Sequence, residues 1–372
     1  MKQRNAVTLM LALGTVLGLA GCHNDPDEMP APVDTVPAGT PLTVDIPANF
    51  PQMPIPEDNP FTEEGVELGR FLFYDERLSG NNTMSCASCH SPEAAFTDDG
   101  NQFSTGIDGI VGTRNSMALI NLAWDTRYFW DGRVLTLEDQ ILRPVMDPIE
   151  MHETWPNAVA EIQAHAAYPP MFESAFGTST VDSVLVAKAI AQFLRTMISG
   201  NSRFDKFQRG EGLLTVDEQL GLQLWQLEGG DPALGLGGQF GADCFHCHPT
   251  AGGRLTDGQL HNNGLDAEFT DLGAGGVTGL AEDMGRFKTP TLRNIALTAP
   301  YMHDGRFQTL EEVVEHYNSG GQQSPTVDPF MKFGQGGLEL TPEKKQQLIA
   351  FLNTLTDMDF VNNPAFQDPG EP

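Results

Sequence analysis

SCASCH (residues 85–90) and DCFHCH (243–248) constrain this chain more than anything else in it. Each is a CxxCH motif, the attachment signature of a c-type haem. On one turn of helix, positions i, i+3 and i+4 share a face. Cys86 and Cys89, and likewise Cys244 and Cys247, can then form thioethers to the haem vinyl groups while His90 or His248 ligates the iron. A disulfide, a zinc half-site or a thioredoxin-type redox pair would use the same cysteines. Two copies, each followed at once by histidine, favour two covalently bound haem c groups. His246 lies inside the second motif and is not expected to bind iron.

The fifth cysteine, Cys22, closes MKQRNAVTLMLALGTVLGLAGC. This stretch has a basic start (Lys2, Arg4) and an apolar run too short to span a membrane. Residues 1–21 read as a lipoprotein signal peptide, with Cys22 becoming the acylated N-terminus, and several acyl chains would anchor the protein durably. The expected location is the periplasmic side of a bacterial envelope, with membrane contact through that lipid alone. A net charge of −29 repels nucleic acid and anionic lipid. It suits a basic protein partner, and equally serves solubility.

Residues 22–58 are rich in Pro and acidic residues and read as a disordered tether. Composition becomes globular near Asn59, and 372 residues leave room for two cores. A first unit, 59–205, holds the first motif and ends on SVLVAKAIAQFLRTMI. A second, 206–360, holds TVDEQLGLQLWQLEG, the second motif and a closing helix, and 361–372 would be a tail. In TPEKKQQLIAFLNTLTD (341–357), Thr341 is placed to N-cap and Pro342 to occupy the first helical position. Leu348, Ile349, Leu352 and Leu355 form one apolar stripe.

In TLEEVVEHYNSGG (309–321), Thr309 and Glu312 have capping-box spacing, and Gly320 or Gly321 can end the helix. Val313 and Tyr317 share a face of it. Gly-, Asp- and Asn-rich loops separate the helices, with little of the alternation a sheet requires. The expected fold is mostly α with long loops, which large cofactors filling the cores would permit.

Axial ligation decides what such a protein does. Iron with two protein ligands carries electrons, whereas iron with an open face binds peroxide or oxygen. Beyond His90 and His248 there are His23, His152, His165, His246, His261, His303 and His316, none marked as a ligand by spacing.

GRFKTPTLRNIALTAPYMHDGRFQTLEEVVEHY (285–317), together with YFWDGR (128–133) and TRN (113–115), resembles the bacterial dihaem cytochrome c peroxidases. These share their fold with the MauG-type enzymes that mature tryptophan-derived quinone cofactors. The resemblance runs from about residue 60 to 356. It implies two cytochrome c-like, mostly α domains with one haem each, the N-terminal haem being the peroxide site and the C-terminal haem the electron-transfer partner.

For Trp130 the resemblance implies an electron relay between the haems, although beside Tyr128 and Phe129 the residue alone reads as core packing. For Glu150, in PIEMHE, it implies the distal acid that moves the peroxide proton, which is general acid–base work. It also implies one Ca2+ held by Asn115, Thr298 and Pro300, the last two through carbonyl oxygens, a ligand type that suits calcium.

Two positions depart from the peroxidase pattern. The peroxidases carry a histidine in the loop before TRN that caps the peroxide haem, and the matching residue in STGIDGIVGTRN is Ile107. Isoleucine cannot bind iron, so the first haem is expected to be five-coordinate and active without prior reduction. The peroxidases carry methionine where this chain has Tyr317, and MauG-type proteins carry tyrosine. A tyrosinate favours ferric and higher-valent iron, whereas methionine raises the potential. Met302 and Met331 are the rival sixth ligands.

Three functions are therefore in view. One is a peroxidase that reduces hydrogen peroxide with electrons from a small cytochrome c or cupredoxin. The second is a MauG-like oxidase of side chains in a protein substrate. Against quinone-cofactor maturation itself, the stretch QFGADC before the second motif has no tryptophan, and Trp225 lies well upstream. The third is a dihaem electron-transfer lipoprotein, which an open first haem argues against. The sequence does not decide the oligomeric state, a homodimer included.

Overall fold

The structure, a computed structural model, describes residues 38–331 and 336–372. The expected signal peptide, Cys22 and the tether as far as residue 37 lie outside the described residues.

The helices are α1 Glu63–Tyr74, α2 Leu137–Met146, α3 Trp155–Ala164, α4 Tyr168–Phe176, α5 Ser183–Thr196, α6 Arg203–Gln208, α7 Val216–Gln226, α8 Ala274–Thr278, α9 Leu310–Ser319, α10 Pro342–Asn353 and α11 Met358–Val361. Two-residue strands β1 (Leu260–His261) and β2 (Phe287–Lys288) pair antiparallel. The fold is mostly helical, as its sequence implies, and loops make up much of the rest. Among the described residues no helix is long and apolar enough to cross a membrane.

Helix ends fall where local chemistry puts them. Thr309 caps α9 in a full capping box with Glu312, and Gly320 closes it at φ 81°. The hydroxyl of Thr341 accepts from the Lys344 amide at the start of α10, with Pro342 in the first turn. Leu348, Ile349, Leu352 and Leu355 are all buried.

Each half is built on one close helix pair. In the first, α1 packs on α5, and Gly69 makes the approach possible: a Cβ there would lie 1.9 Å from the Ala189 carbonyl oxygen. In the second, α7 packs on α10 across Gly221, where a Cβ would lie 2.0 Å from the Gln347 oxygen. The first core gathers Leu68, Leu72, Phe73, Phe96 and Phe193; the second gathers Leu224, Trp225, Leu348, Phe351 and Leu355. A buried pair braces the second half, with Arg293 Nη1 and Nη2 each 2.8 Å from an Asp205 oxygen.

Two expected boundaries are corrected. Residues 38–58, read as the end of a disordered tether, pack: Phe50 and Met53 are buried against Trp124, and the Leu42 amide donates to the Phe61 carbonyl. The two apolar side chains reach a hydrophobic site that local composition does not reveal. Residues 361–372, read as a tail, fold back onto the first half. Phe360 and Phe366 enter its core, and Arg70 and Tyr74 of α1 donate to the carbonyls of Pro364, Phe366 and Gln367.

Candidate functional site

Both CxxCH motifs begin on a single 3₁₀ turn, Cys86–Ser88 and Cys244–His246. No disulfide joins Cys86 to Cys89 or Cys244 to Cys247. Burial pushes the Cys86 and Cys244 thiols up to about 12 and that of Cys89 up to about 11. A thioredoxin-type pair needs a depressed thiol, and Cys86, Cys89 and Cys244 are shifted the other way.

The histidines are prepared as ligands. His90 Nδ1 lies 2.9 Å from the Phe96 carbonyl oxygen, and His248 Nδ1 lies 2.9 Å from that of Leu255. Phe96 and Leu255 both have positive φ, 62° and 54°, which turns those carbonyls back toward the rings. A ring that donates from Nδ1 keeps Nε2 as its metal ligand. Burial holds both imidazoles neutral, lowering His90 and taking His248 down to about 4. The indole nitrogen of Trp225 donates to the His248 carbonyl at 3.1 Å and fixes the second motif from behind.

The second motif opens onto a cavity of about 250 Å³ lined by Cys244, Cys247, His248, Met302, Tyr317 and Met331. Its walls are mainly apolar, and its donor set of two thiols and one neutral imidazole fits a covalently held haem. All three candidate sixth ligands reach it. Burial pushes the Tyr317 hydroxyl up to about 12. Asn263 Nδ2 donates to the Tyr317 oxygen at 3.3 Å and contacts Met302 Sδ at 3.4 Å, so one amide serves both rivals.

At the first motif the structure brings Glu150 and Ile107 together: the Ile107 amide donates to the Glu150 carbonyl at 2.9 Å. Gly106 permits this approach, because a Cβ there would lie 2.2 Å from the Ile149 oxygen and 2.6 Å from that of Glu150. Burial, reinforced by Asp147 and opposed by Arg133, pushes the Glu150 carboxyl up to about 7. Its charge is felt by both Cys86 and Cys89. His152 Nδ1 lies 2.5 Å from Asp108 Oδ2 on the surface.

Trp130 belongs to the first half yet lines the second cavity. Its indole nitrogen donates to the Asn115 carbonyl at 2.8 Å, and its own carbonyl accepts from the Lys288 amide. Asn115, Thr298 and Pro300 come to the same cavity wall.

The motifs sit in a duplicated frame that motif spacing alone does not reveal. YFWDGRVLTLED (128–139) and YMHDGRFQTLEE (301–312) align without a gap. Tyr128 bridges to Val134 as Tyr301 does to Phe307. Their hydroxyls donate to Leu122 and Ile295 carbonyls at 3.1 and 2.9 Å. Asp131 pairs with Arg133 as Asp304 pairs with Arg306, and Thr136 caps α2 as Thr309 caps α9. In this register His303 falls at Trp130, buried Leu137 and Ile141 fall at buried Leu310 and Val314, and Pro144 falls at Tyr317. Proline offers no side-chain donor to a metal.

Residues 63–212 match the family model for di-haem cytochrome c peroxidase. The methylamine utilization protein MauG of Methylorubrum extorquens is 36% identical over 82% of this chain and 81% of its own length. The cytochrome c551 peroxidase of Nitrosomonas europaea is 33% identical over 83% of this chain and 85% of its own. Among solved structures, a MauG-like protein associated with microbial copper homeostasis superposes with a TM-score of 0.79 at 36% identity, covering 88% of this chain and 99% of that one.

Proposed function

Because this chain belongs to the di-haem cytochrome c peroxidase and MauG family, in which two c-type haems support oxidoreductase chemistry, we propose that it reduces hydrogen peroxide at the haem of Cys86, Cys89 and His90. Electrons come through the haem of Cys244, Cys247 and His248 from a small cytochrome c or cupredoxin. The observation that carries this reading is the backbone hydrogen bond from the Ile107 amide to the Glu150 carbonyl: it joins a residue whose carboxyl is pushed up to about 7 to one whose side chain cannot ligate iron. The duplication supports it, since the first-half counterpart of Tyr317 is Pro144.

Haems held by Cys86, Cys89 and His90 and by Cys244, Cys247 and His248 would supply the iron for peroxide reduction and for electron transfer. The chain supplies the rest. Breaking the O–O bond requires a proton moved from one peroxide oxygen to the other. A carboxyl near pH 7 is matched to accepting that proton and returning it. Ile107 keeps the face beside Glu150 free of a protein ligand. His90, held through Nδ1, orients its ring. Trp130, joined to Asn115 and to β2 by hydrogen bonds, spans from the first half to the wall of the second cavity and is suited to relay electrons. Calcium at Asn115, Thr298 and Pro300 would brace that same wall.

A second reading, oxidation of side chains in a protein substrate, is favoured by one observation: the phenol of Tyr317 reaches the second cavity. As the sixth ligand it would favour oxidised iron there. Export and lipid anchoring through Cys22, on the periplasmic side of the envelope, belong to the same proposal. The deciding experiment mixes the as-isolated, fully oxidised protein with peroxide and reduced cytochrome c. Immediate turnover supports the peroxidase reading; turnover only after pre-reduction overturns the open first haem.

A further inference from the structure

Away from the ligand set, the wall of the second motif's cavity carries a half-buried cluster of three charges. His261, on β1, faces two carboxylates: Nδ1 lies 2.5 Å from Asp328 Oδ2 and Nε2 lies 2.8 Å from Asp257 Oδ2. An ionised carboxylate only accepts, so both ring nitrogens donate, and an imidazole with two N–H groups is a cation. The two acids push His261 up to about 12, and the same contacts hold Asp257 and Asp328 below the usual carboxylate range. The cluster is one fixed cation between two fixed anions.

Its place is as specific as its charge. The Asp257 amide donates to the Cys247 carbonyl at 2.9 Å. His261 and Asp328 line the cavity together with His248. The free oxygens are tied down: Asp257 Oδ1 accepts from the Gln259 amide and Asp328 Oδ1 from the Phe330 amide, each at 2.9 Å. The Asp328 amide donates to Asn262, next in sequence to His261, at 2.9 Å. Charges held this rigidly in a half-buried wall act on a neighbouring redox centre with little screening.

We propose that Asp257, His261 and Asp328 form a positioning and charge-setting triad beside the Cys247 attachment, and that its net single negative charge tunes the potential of the second haem. Outer-shell charge is one of the levers a protein has on such a centre. Removing the cation leaves two negative charges and favours the ferric state further. Removing either anion leaves a neutral pair and favours the ferrous state. The inference rests on haem attachment at Cys244 and Cys247, and it is independent of which residue is the sixth ligand.

The test is spectroelectrochemical titration of the holoprotein at pH 6, where an imidazolium facing even one carboxylate keeps its charge. His261→Gln should move the second haem's midpoint down, while Asp328→Asn and Asp257→Asn should each move it up. The first haem's midpoint serves as the internal reference and should stay in place. Shifts of one sign in all three variants, or no shift in any, overturn the proposal, because loss of a purely structural tie has no reason to follow the sign of the charge removed. If His261→Gln fails to load its second haem, the two near-isosteric Asp→Asn variants decide alone: upward shifts support the triad and unchanged midpoints overturn it. Loss of peroxide turnover with the three shifts intact would count against the peroxidase reading and leave the triad standing.

Discussion

The amide of Ile107 donates a 2.9 Å hydrogen bond to the carbonyl oxygen of Glu150. Residues far apart in sequence are thus joined through their backbones. One supplies a titrating acid and the other an inert side chain.

That acid sets a pH dependence. Glu150 is pushed up to about 7, and accepting the peroxide proton requires its ionised form. The kcat/KM for peroxide should therefore rise with pH and level off above a midpoint near 7. Glu150→Gln should flatten the profile and lower turnover roughly a hundredfold or more, with both haem spectra intact. The linked stability runs the other way. A carboxyl raised in the folded state holds a proton between its unfolded value, about 4.3, and about 7, and its stabilising contribution is lost as pH rises through that window.

Ile107→His should restore a side chain able to cap the first haem. The ferric first haem should change from high-spin to low-spin by electron paramagnetic resonance. Turnover by the oxidised protein should fall and return after pre-reduction. A first haem that stays high-spin would show that the loop does not bring position 107 over the iron.

Tyr317→Phe removes the phenol and keeps the ring. With tyrosine as the sixth ligand, the second haem should lose its low-spin ferric spectrum, or gain a methionine–iron charge-transfer band if Met302 or Met331 takes over. An unchanged spectrum would reduce Tyr317 to a packing residue. Asn263, which donates to the Tyr317 oxygen and touches Met302, makes such a substitution of ligands physically reasonable.

Arg293 and Asp205 test the scaffold. Their side chains are 1% and 0% exposed, and Arg293 Nε also donates to the Gly253 carbonyl at 2.6 Å. Arg293→Met strands a buried carboxylate and should cost about 3–5 kcal/mol, read as a lower melting temperature by circular dichroism. Pairing it with Asp205→Leu should recover part of the loss. Equal melting temperatures for single variant and parent would falsify the view that this pair braces the second half.

What was legible in the sequence is what short-range chemistry controls. CxxCH places two thiols and an imidazole within one turn, so the expected haem sites and proximal ligands follow from spacing. Capping residues act within four positions, so the ends of α9 and α10 followed from Thr309, Glu312, Gly320, Thr341 and Pro342. The repeat YFWDGRVLTLED/YMHDGRFQTLEE was equally present, and it relates Pro144 to Tyr317 without any coordinates. Only the tertiary structure decided the contacts that close long loops. Phe50 and Met53 leave an acidic, proline-rich stretch to cover Trp124, and Phe366 returns from the C-terminus to the first core. Glu150 acquires its raised carboxyl because the fold buries it beside Asp147. His261 becomes a fixed cation because the chain brings Asp257 and Asp328 to its two nitrogens from opposite sides. Burial and charge are properties of what surrounds a residue, and much of that comes from distant parts of the chain: Asp257 is four residues from His261, but Asp328 is 67 away.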